Sequence, residues 1–95
     1  MINGDVTSFV EGIGFGETSA FVYNEEVYVI QGYCQDDVRY LFLDRVEPKA
    51  DDLLWSSSLD DGEYPVDEFL DAPLFNGKTF MDIESEVEWI EVPTE

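Results

Sequence analysis

The sequence contains runs of strand-forming residues separated by very short gaps, and this feature most limits the folds available to the chain. Residues rich in Val, Ile, Phe, Tyr and Thr occupy positions 5–13, 18–23, 26–33 and 38–46. The gaps after the second and third runs hold only two or three polar residues, too few for a crossover helix. Such spacing favours consecutive hairpins, and therefore predicts an antiparallel meander of about four strands.

Two of these runs are apolar on both of their alternating faces. Strands of this kind lie between two covering layers, or they are covered once and present an aromatic face to a partner. The sequence leaves both arrangements open. The residues concerned are Val27 and Val29 alternating with Tyr28 and Ile30, and Tyr40 and Phe42 alternating with Leu41 and Leu43.

The character of the chain changes at about Ala50, and the second half is predicted to be rich in helix. Residues 51–59 could form one or two helical turns, and a short helix is predicted over 65–71, where Pro65 suits the first turn. Tight turns are predicted at 60–62 and 76–77. The spacing of Phe80, Ile83, Val87 and Ile90 predicts a helix from about Phe80 that gives way to a strand near Trp89.

Together these elements predict one α+β domain over residues 1–95. Residues 1–47 are expected to be mainly strands, and residues 48–95 a mixed, helix-rich half. Two or three short helices of the C-terminal half are expected to pack on one face of the antiparallel sheet. Thr79 and Asp82 are expected to cap the start of the last helix.

The charge is extreme for a chain of this size. There are 23 acidic residues against 4 basic ones and no His, which gives a formal net charge of −19. Direct binding of nucleic acid is excluded, because neutralising phosphates requires clustered Lys and Arg. Binding to an anionic membrane surface is disfavoured for the same reason. The charge indicates a basic protein partner, or else adaptation to a salty cytoplasm.

No pattern in the sequence indicates catalysis, a metal site or a cofactor. Without His, neither Cys34 nor the serines at 56–58 have the usual activating base, so we expect no catalytic residue and no enzyme. Gly12, Gly14 and Gly16 differ from the phosphate-binding G-x-G-x-x-G spacing, and are predicted to form a hairpin turn. A single Cys and the absence of a long apolar run predict a cytoplasmic protein, and the charge predicts a monomer when free.

Two acidic clusters are interleaved with aromatic residues, and they are the predicted partner-binding surface. Phe80, Ile83, Val87 and Ile90 could form a buried helical stripe, which would place Glu84, Glu88 and Glu91 together on the opposite face. Like charges so spaced destabilise an isolated helix, but they are favourable once a partner supplies cations. The predicted partner-binding residues are Asp60, Asp61, Glu63, Tyr64, Asp67, Glu68, Asp71, Glu84, Glu88, Trp89 and Glu91.

A small, His-free, strongly acidic α+β chain resembles the immunity proteins of bacterial toxin–immunity systems, especially those of contact-dependent growth inhibition. The segment at 71–84, Asp-Ala-Pro-Leu-Phe-Asn-Gly-Lys-Thr-Phe-Met-Asp-Ile-Glu, is similar in character to such sequences. The resemblance implies a cytoplasmic protein that binds a cognate toxin domain and blocks its active site or substrate-binding surface. Many such toxins are nucleases with basic substrate channels.

The leading hypothesis is therefore an immunity protein that neutralises a basic toxin domain, expected to be a nuclease. The alternative is a phage-type DNA mimic that inhibits a restriction enzyme, a CRISPR effector or another DNA-binding protein. A mimic would arrange its carboxylates in two phosphate-like rows, whereas an immunity protein would concentrate them on one patch. The surplus of acids after Lys49, 14 against 9 before it, favours a patch. A structural subunit of a larger assembly is a third possibility.

Overall fold

The computed structural model describes residues 1–92, which form one sheet with short helices packed on it. In chain order the elements are α1 (Val6–Gly14), β1 (Ser19–Tyr23), β2 (Glu26–Gln35), β3 (Val38–Glu47), β4 (Trp55–Leu59), α2 (Val66–Asp71), α3 (Phe80–Ile83), a 3₁₀ turn (Glu84–Glu86) and β5 (Glu88–Ile90). The five strands form an antiparallel sheet in the order β4-β3-β2-β1-β5. The predicted α+β fold with an antiparallel meander and short helices is confirmed.

Three of the predicted strands form the centre of this sheet. The turns between β1, β2 and β3 each consist of two residues, Asn24-Glu25 and Asp36-Asp37, all four with positive φ between 52° and 66°. Two consecutive left-handed residues give the backbone twist that matches the twist of the strands, and Asn and Asp tolerate this conformation best. The short polar gaps in the sequence therefore close tight hairpins, as predicted.

The first predicted strand, residues 5–13, is wrong, because this segment forms helix α1. Val6, Phe9, Val10 and Ile13 recur at helical spacing, and Phe9 and Ile13 are buried against the sheet. The Asp5 carboxylate caps the helix by accepting the backbone N–H of Ser8 at 3.3 Å. The cap and the apolar period outweigh the β-branched composition that suggested a strand.

The predicted hairpin turn at the three nearby glycines is also wrong. Gly12 and Gly14 belong to the last turn of α1, so the chain leaves a helix here rather than a strand. Gly16 has a φ of 80°, and its N–H donates to the Ile13 carbonyl at 3.0 Å. A residue in the left-handed conformation just beyond a helix end is the usual way to stop it, and glycine adopts this conformation without strain.

The helical turns predicted within 51–59 are wrong as well, because residues 55–59 form edge strand β4. Trp55, Ser57 and Leu59 are partly covered, while Ser56 and Ser58 are exposed, which is the two-residue alternation of a strand covered on one side. Pairing with β3, from Leu43 opposite Trp55 to Arg39 opposite Leu59, determines the conformation of this serine-rich segment.

The predictions for the last third of the chain are mostly confirmed. α2 coincides with the predicted helix at 65–71, and Asn76-Gly77 forms a tight turn with positive φ at both residues. Thr79 and Asp82 form a reciprocal capping box at the start of α3. The helix gives way to a strand around Trp89, as predicted. Since α3 already ends at Ile83, the predicted helical face carrying Glu84, Glu88 and Glu91 does not exist.

All helices contribute to one core on one face of the sheet. The buried cluster comprises Phe9, Ile13, Phe21, Tyr28, Ile30, Leu41, Leu43, Phe69, Phe75, Phe80, Ile83 and Val87. Strand residues in phase with Phe21, Ile30 and Leu41 face the helices, and the alternate residues face away. None of the latter belongs to the core cluster or packs against it. Of the two arrangements left open by the sequence, the sheet of residues 1–92 adopts the one covered once.

Within residues 1–92, no helix combines the length and the apolar character needed to cross a membrane.

Candidate functional site

The first predicted acidic cluster lies along the β4 edge of the sheet and on α2. Asp60, Asp61 and Glu63 occupy the loop that follows β4, and Asp67, Glu68 and Asp71 lie on α2; all six are exposed. The loop is organised by the Asp61 carboxylate, which accepts the backbone N–H of Glu63 at 3.1 Å. We define these six carboxylates as the α2 cluster.

Helix α2 projects its acids into solvent because its apolar residues anchor it to the core. Phe69 is fully buried and lies against Trp55 and Phe80, with ring centroids 5.6 and 5.5 Å away. On the exposed side, Glu68 Oε2 accepts a hydrogen bond from Ser57 Oγ at 2.9 Å, which joins the helix to β4. Asp67 is in the first turn, where negative charge is favourable because the backbone N–H groups there are unpaired.

Tyr64, predicted as a partner-binding residue, packs against other residues of the fold. A Cβ atom placed on Gly32 would lie 2.7 Å from Tyr64 Cε1, and one on Gly16 would lie 2.5 Å from the Tyr64 hydroxyl. The ring is therefore seated directly on these two glycines, and the Arg39 guanidinium lies 6.0 Å from its centroid. Tyr64 is half-buried and fixes the loop that carries Glu63.

The second predicted cluster lies at the opposite edge of the sheet, around β5. Glu84 Oε2 is 2.9 Å from the amino group of Met1, and Glu88 Oε2 accepts from Asn3 Nδ2 at 3.0 Å. Ile2 pairs with the backbone beside β5, since its N–H donates to the Val87 carbonyl and its carbonyl accepts the Trp89 N–H, both at 2.8 Å. Two of these predicted acids thus hold the first residues of the chain, whereas Glu91 is exposed.

The two acidic clusters do not form one patch. β4 and β5 are the outer strands of a five-stranded sheet. Adjacent strands are about 4.8 Å apart, so the two edges are about 19 Å apart. The sequence could not show this separation, because it depends on which strand β5 joins.

Very little of the negative charge is neutralised within the fold. Among residues 1–92, the carboxylates within 4.0 Å of a cationic group are Glu26, which is 2.8 Å from Arg45 Nη1, and Glu84. Arg45 also donates from Nε to the Pro48 carbonyl at 2.9 Å. No charged residue of the described chain is buried. The surface therefore has a strongly negative field that its own cations do not cancel.

Trp89 forms one wall of a shallow groove of about 480 Å³ between β5 and α1. Its side chain is 40% exposed and lies against Gly4. The groove also contains Asp5 and Glu17, which were not predicted as site residues. The Ser8 hydroxyl and then the Ser8 backbone N–H lower the pKa of the Asp5 carboxyl, because both hydrogen bonds favour its charged form. An aromatic wall beside carboxylates can hold a Lys or Arg side chain.

The sheet face turned away from the helices carries a second group of aromatic residues. We define this face as the open face; its apolar members are Ala20, Val22, Val27, Val29, Tyr33, Val38, Tyr40, Phe42 and Ile90. Tyr33 is 45% exposed, and its ring stacks on Tyr40 and meets Phe42 edge-on. These aromatics were absent from the predicted site residues, although the apolar character of both strand faces was the signal that could have identified them.

The remaining reactive groups are isolated. Cys34 is an exposed free thiol, and no cluster of three or more potential metal ligands occurs among residues 1–92. Burial raises the pKa of the Tyr28 hydroxyl, and the nearby Glu26 carboxylate adds to this effect. Tyr28 stacks on Phe21 within the core, so its raised pKa reflects packing. The prediction that the chain has no catalytic residue stays a prediction.

No protein-family model matches the sequence, and comparison with curated proteins and with solved structures finds no significant match. The resemblance to immunity proteins therefore stays a prediction.

Proposed function

We propose that this chain is a stoichiometric inhibitor that binds a basic protein and masks the surface with which that protein holds nucleic-acid phosphates. The form that we favour is an immunity protein acting on a cognate toxin nuclease. The observation that supports this proposal is the α2 cluster, whose six exposed carboxylates lie on an anchored helix and on the loop before it, and are not neutralised by cations of the described chain.

The acidic surface acts on both the rate and the affinity of binding. A surface that carries many uncancelled negative charges attracts a cationic protein over a distance of about 8–10 Å at physiological salt, which accelerates the encounter. Carboxylates that replace phosphates as partners of Lys and Arg then block substrate binding. Tyr64 lies beside Glu63 and Asp67 of the α2 cluster, whereas Trp89 lies beside Asp5 and Glu17 at the opposite edge of the sheet. Aromatic residues of this kind contribute much of the energy of many interfaces.

A DNA mimic is the second candidate, and a specific observation favours it. The predicted acids occupy two opposite edges of the sheet instead of one patch. Duplex DNA carries one charge per about 1.7 Å, so the net charge of −19 corresponds to about 32 Å of duplex. The longest dimension of the molecule is 36 Å, which matches that length. The two candidates differ in selectivity, since a mimic binds several unrelated DNA-binding proteins.

The test is a binding experiment with the proteins encoded by the genes adjacent to that of this chain, among which a basic nuclease domain is the expected partner, and with several unrelated DNA-binding proteins. We expect tight binding to the neighbouring nuclease alone and rescue of cells that express it. Charge reversal at Glu63, Asp67 and Asp71 to Lys is expected to slow association by about tenfold at low salt. Reversal at Glu11, Asp51 and Asp52 changes the net charge equally outside the α2 cluster, and is expected to slow association less.

Three other results would contradict this proposal in whole or in part. Comparable binding to several unrelated DNA-binding proteins would support the mimic instead of the immunity protein. Absence of binding to any cationic protein at low salt would contradict both forms. An equal effect of the two triple variants would show that total charge matters and that the α2 cluster is not the contact surface.

A further inference from the structure

The open face of the sheet is an interaction surface that the acidic clusters do not explain. Five strands spaced about 4.8 Å apart make it about 19 Å wide, and the ten-residue strands β2 and β3 are about 33 Å long. Aromatic and β-branched side chains cover its centre, and no helix of residues 1–92 packs on them. Tyr33 is exposed, and the other apolar members are partly exposed except for Ala20, which is buried. A contiguous apolar surface that is accessible to solvent on a small chain is commonly a site of protein interaction.

The charges on the open face indicate what kind of partner it fits. The charged strand residues in phase with it are Asp44, Glu47 and Glu88, opposite Val29, Val27 and Val22 respectively. Both strand arginines, Arg39 and Arg45, lie in phase with Leu41 and Leu43 and therefore on the helix-covered side. The open face thus combines an apolar centre with carboxylates and carries no strand cation.

This distribution argues against a second copy of the chain as the occupant. Two open faces placed together would bring Asp44, Glu47 and Glu88 of both copies into one interface without cations. Like charges placed together in such an interface repel each other and weaken the complex. A partner with apolar side chains bordered by Lys and Arg would instead satisfy both features of the face.

The size of the open face also indicates a partner that contacts carboxylates. A rectangle of about 19 by 33 Å has an area of about 600 Å², and the face is smaller than this because β1, β4 and β5 have only five, five and three residues. It is therefore smaller than the roughly 800 Å² that each partner contributes to a standard interface. A stable complex therefore has to include acidic residues at the borders of the sheet, such as the Asp36-Asp37 turn. A partner large enough for the open face would reach carboxylates on its rim.

We infer that the open face, centred on Tyr33, Tyr40 and Phe42, docks the apolar part of a basic protein partner while the surrounding carboxylates bind its cations. This inference rests on the proposed function, because it specifies where the basic partner sits. The aromatic cluster is preorganised, since Tyr33 and Tyr40 stack with ring centroids 4.7 Å apart. Preorganised aromatic side chains lose little entropy on binding, which makes them effective anchors.

The test uses two synthetic peptides of equal length and charge, one alternating Lys with Val and the other alternating Lys with Ser. Binding is followed by NMR through the backbone amide shifts of the full chain. The Lys-Val peptide is expected to bind about tenfold more tightly and to shift Val29, Gln31 and Phe42. Tyr33→Ser is expected to abolish this preference, whereas Phe15→Ser, at an exposed position outside the sheet, should leave it unchanged.

The other outcomes show whether the open face is wrong as the docking site or whether the proposed function itself is wrong. Equal binding of both peptides, with shifts confined to the acidic clusters, would overturn the open face as the docking site and leave the proposed function standing. Shifts confined to the outer edge of β4 would overturn it in favour of strand addition. A dimer in sedimentation velocity that Tyr33→Ser disrupts would show that a second copy is the occupant. Failure of both peptides to bind at low salt would contradict the proposed function itself.

Discussion

Tyr33 on β2 stacks on Tyr40 on β3, with ring centroids 4.7 Å apart and ring planes 10° from parallel. The two residues are directly opposite each other in the register of the hairpin, so the backbone itself brings the rings together. They lie on the open face, where no other layer of residues 1–92 holds them in place. The pair therefore links the two strands of the hairpin and forms an aromatic surface on which Tyr33 is exposed and Tyr40 is partly exposed.

This pairing predicts a measurable coupling between the two tyrosines. In a double-mutant cycle of Tyr33→Ala and Tyr40→Ala, the changes in the free energy of unfolding should deviate from additivity by about 0.5–1.5 kcal/mol. The reason is that either single substitution already removes the stacking contact, which the double variant cannot lose a second time. Urea denaturation monitored by circular dichroism measures it. Tyr33→Ala combined with Phe15→Ala is the control, expected to be additive within about 0.5 kcal/mol. Additivity in the first cycle would show that the stacking contributes no stability.

A second prediction compares the two faces of β3 at neighbouring residues. Leu43 is fully buried in the core, and Leu43→Ala is expected to lower the free energy of unfolding by about 2–5 kcal/mol through lost burial and a cavity. Phe42 lies on the open face, and Phe42→Ala should cost only about 1 kcal/mol despite the larger side chain removed. Chemical denaturation of both variants provides the comparison. A larger loss for Phe42→Ala would mean that the open face is covered.

The central hairpins were predictable because their determinants are local. The two-residue polar turns and the β-rich runs at 18–23, 26–33 and 38–46 contain the information for pairing within the segments themselves. Helix α1 could have been found too, from the spacing of Phe9 and Ile13 and the cap at Asp5. Strand β4 could not, because a Trp followed by three Ser becomes a strand only by pairing with the edge of β3.

The candidate site was predictable in composition but not in arrangement. The sequence identified the acids of the α2 cluster, and they are exposed as expected. It could not show that Glu84 and Glu88 hold the first residues of the chain, since these contacts span more than 80 positions. The open face was one of two alternatives, because apolarity on both sides of a strand does not determine whether one layer or two cover the sheet.

A third prediction concerns the carboxyl pKa values at two helix starts. Hydrogen bonds from Ser8 lower the pKa of Asp5, and bonds from the Thr79 backbone N–H and side chain lower the pKa of Asp82, both from an ordinary 3.8. Ser8→Ala should raise the pKa of Asp5 and leave Asp82 unchanged, whereas Thr79→Ala should raise the pKa of Asp82 alone. Carbon-13 NMR titration of the carboxyl groups measures both pKa values, so each variant is the control for the other.

The same shifts determine the sign of the pH dependence. A carboxyl group whose pKa is lower in the folded state stabilises the fold fully above its unfolded value, and this contribution is lost as the pH falls through the lowered value. Asp5→Asn retains a capping oxygen without a titratable group. It should therefore reduce the acid-side loss of stability below about pH 4 while leaving the α1 helix formed. An unchanged acid-side slope would contradict the role of Asp5.

The packing of Tyr64 on Gly16 and Gly32 gives a fourth prediction. Gly32→Ala would place a methyl group 2.7 Å from Tyr64 Cε1 and 2.8 Å from the Gly16 Cα, so a ring and a backbone segment would have to move. We expect a loss of about 1–3 kcal/mol, as for other overpacked sites. Gly77→Ala is the matched control, because it meets no atom within 4 Å and costs only the strain of its φ of 84°. Tyr64→Ala should relieve only part of the Gly32→Ala defect, since the backbone contact remains.

The uncancelled charge of the surface gives a fifth prediction, on the salt dependence of stability. The net charge is −19, and the two salt bridges of the described residues neutralise little of it, so the folded state repels itself. Raising the salt concentration to about 0.5 M shortens the screening length to about 4–5 Å and should raise the melting temperature by several degrees. Calorimetry in NaCl and in KCl should give the same rise, because screening does not depend on which monovalent cation is present. Neutralising Asp60, Glu63, Asp67 and Asp71 to Asn or Gln should reduce the slope with salt, and an unchanged slope would show that these carboxylates are too far apart to repel each other.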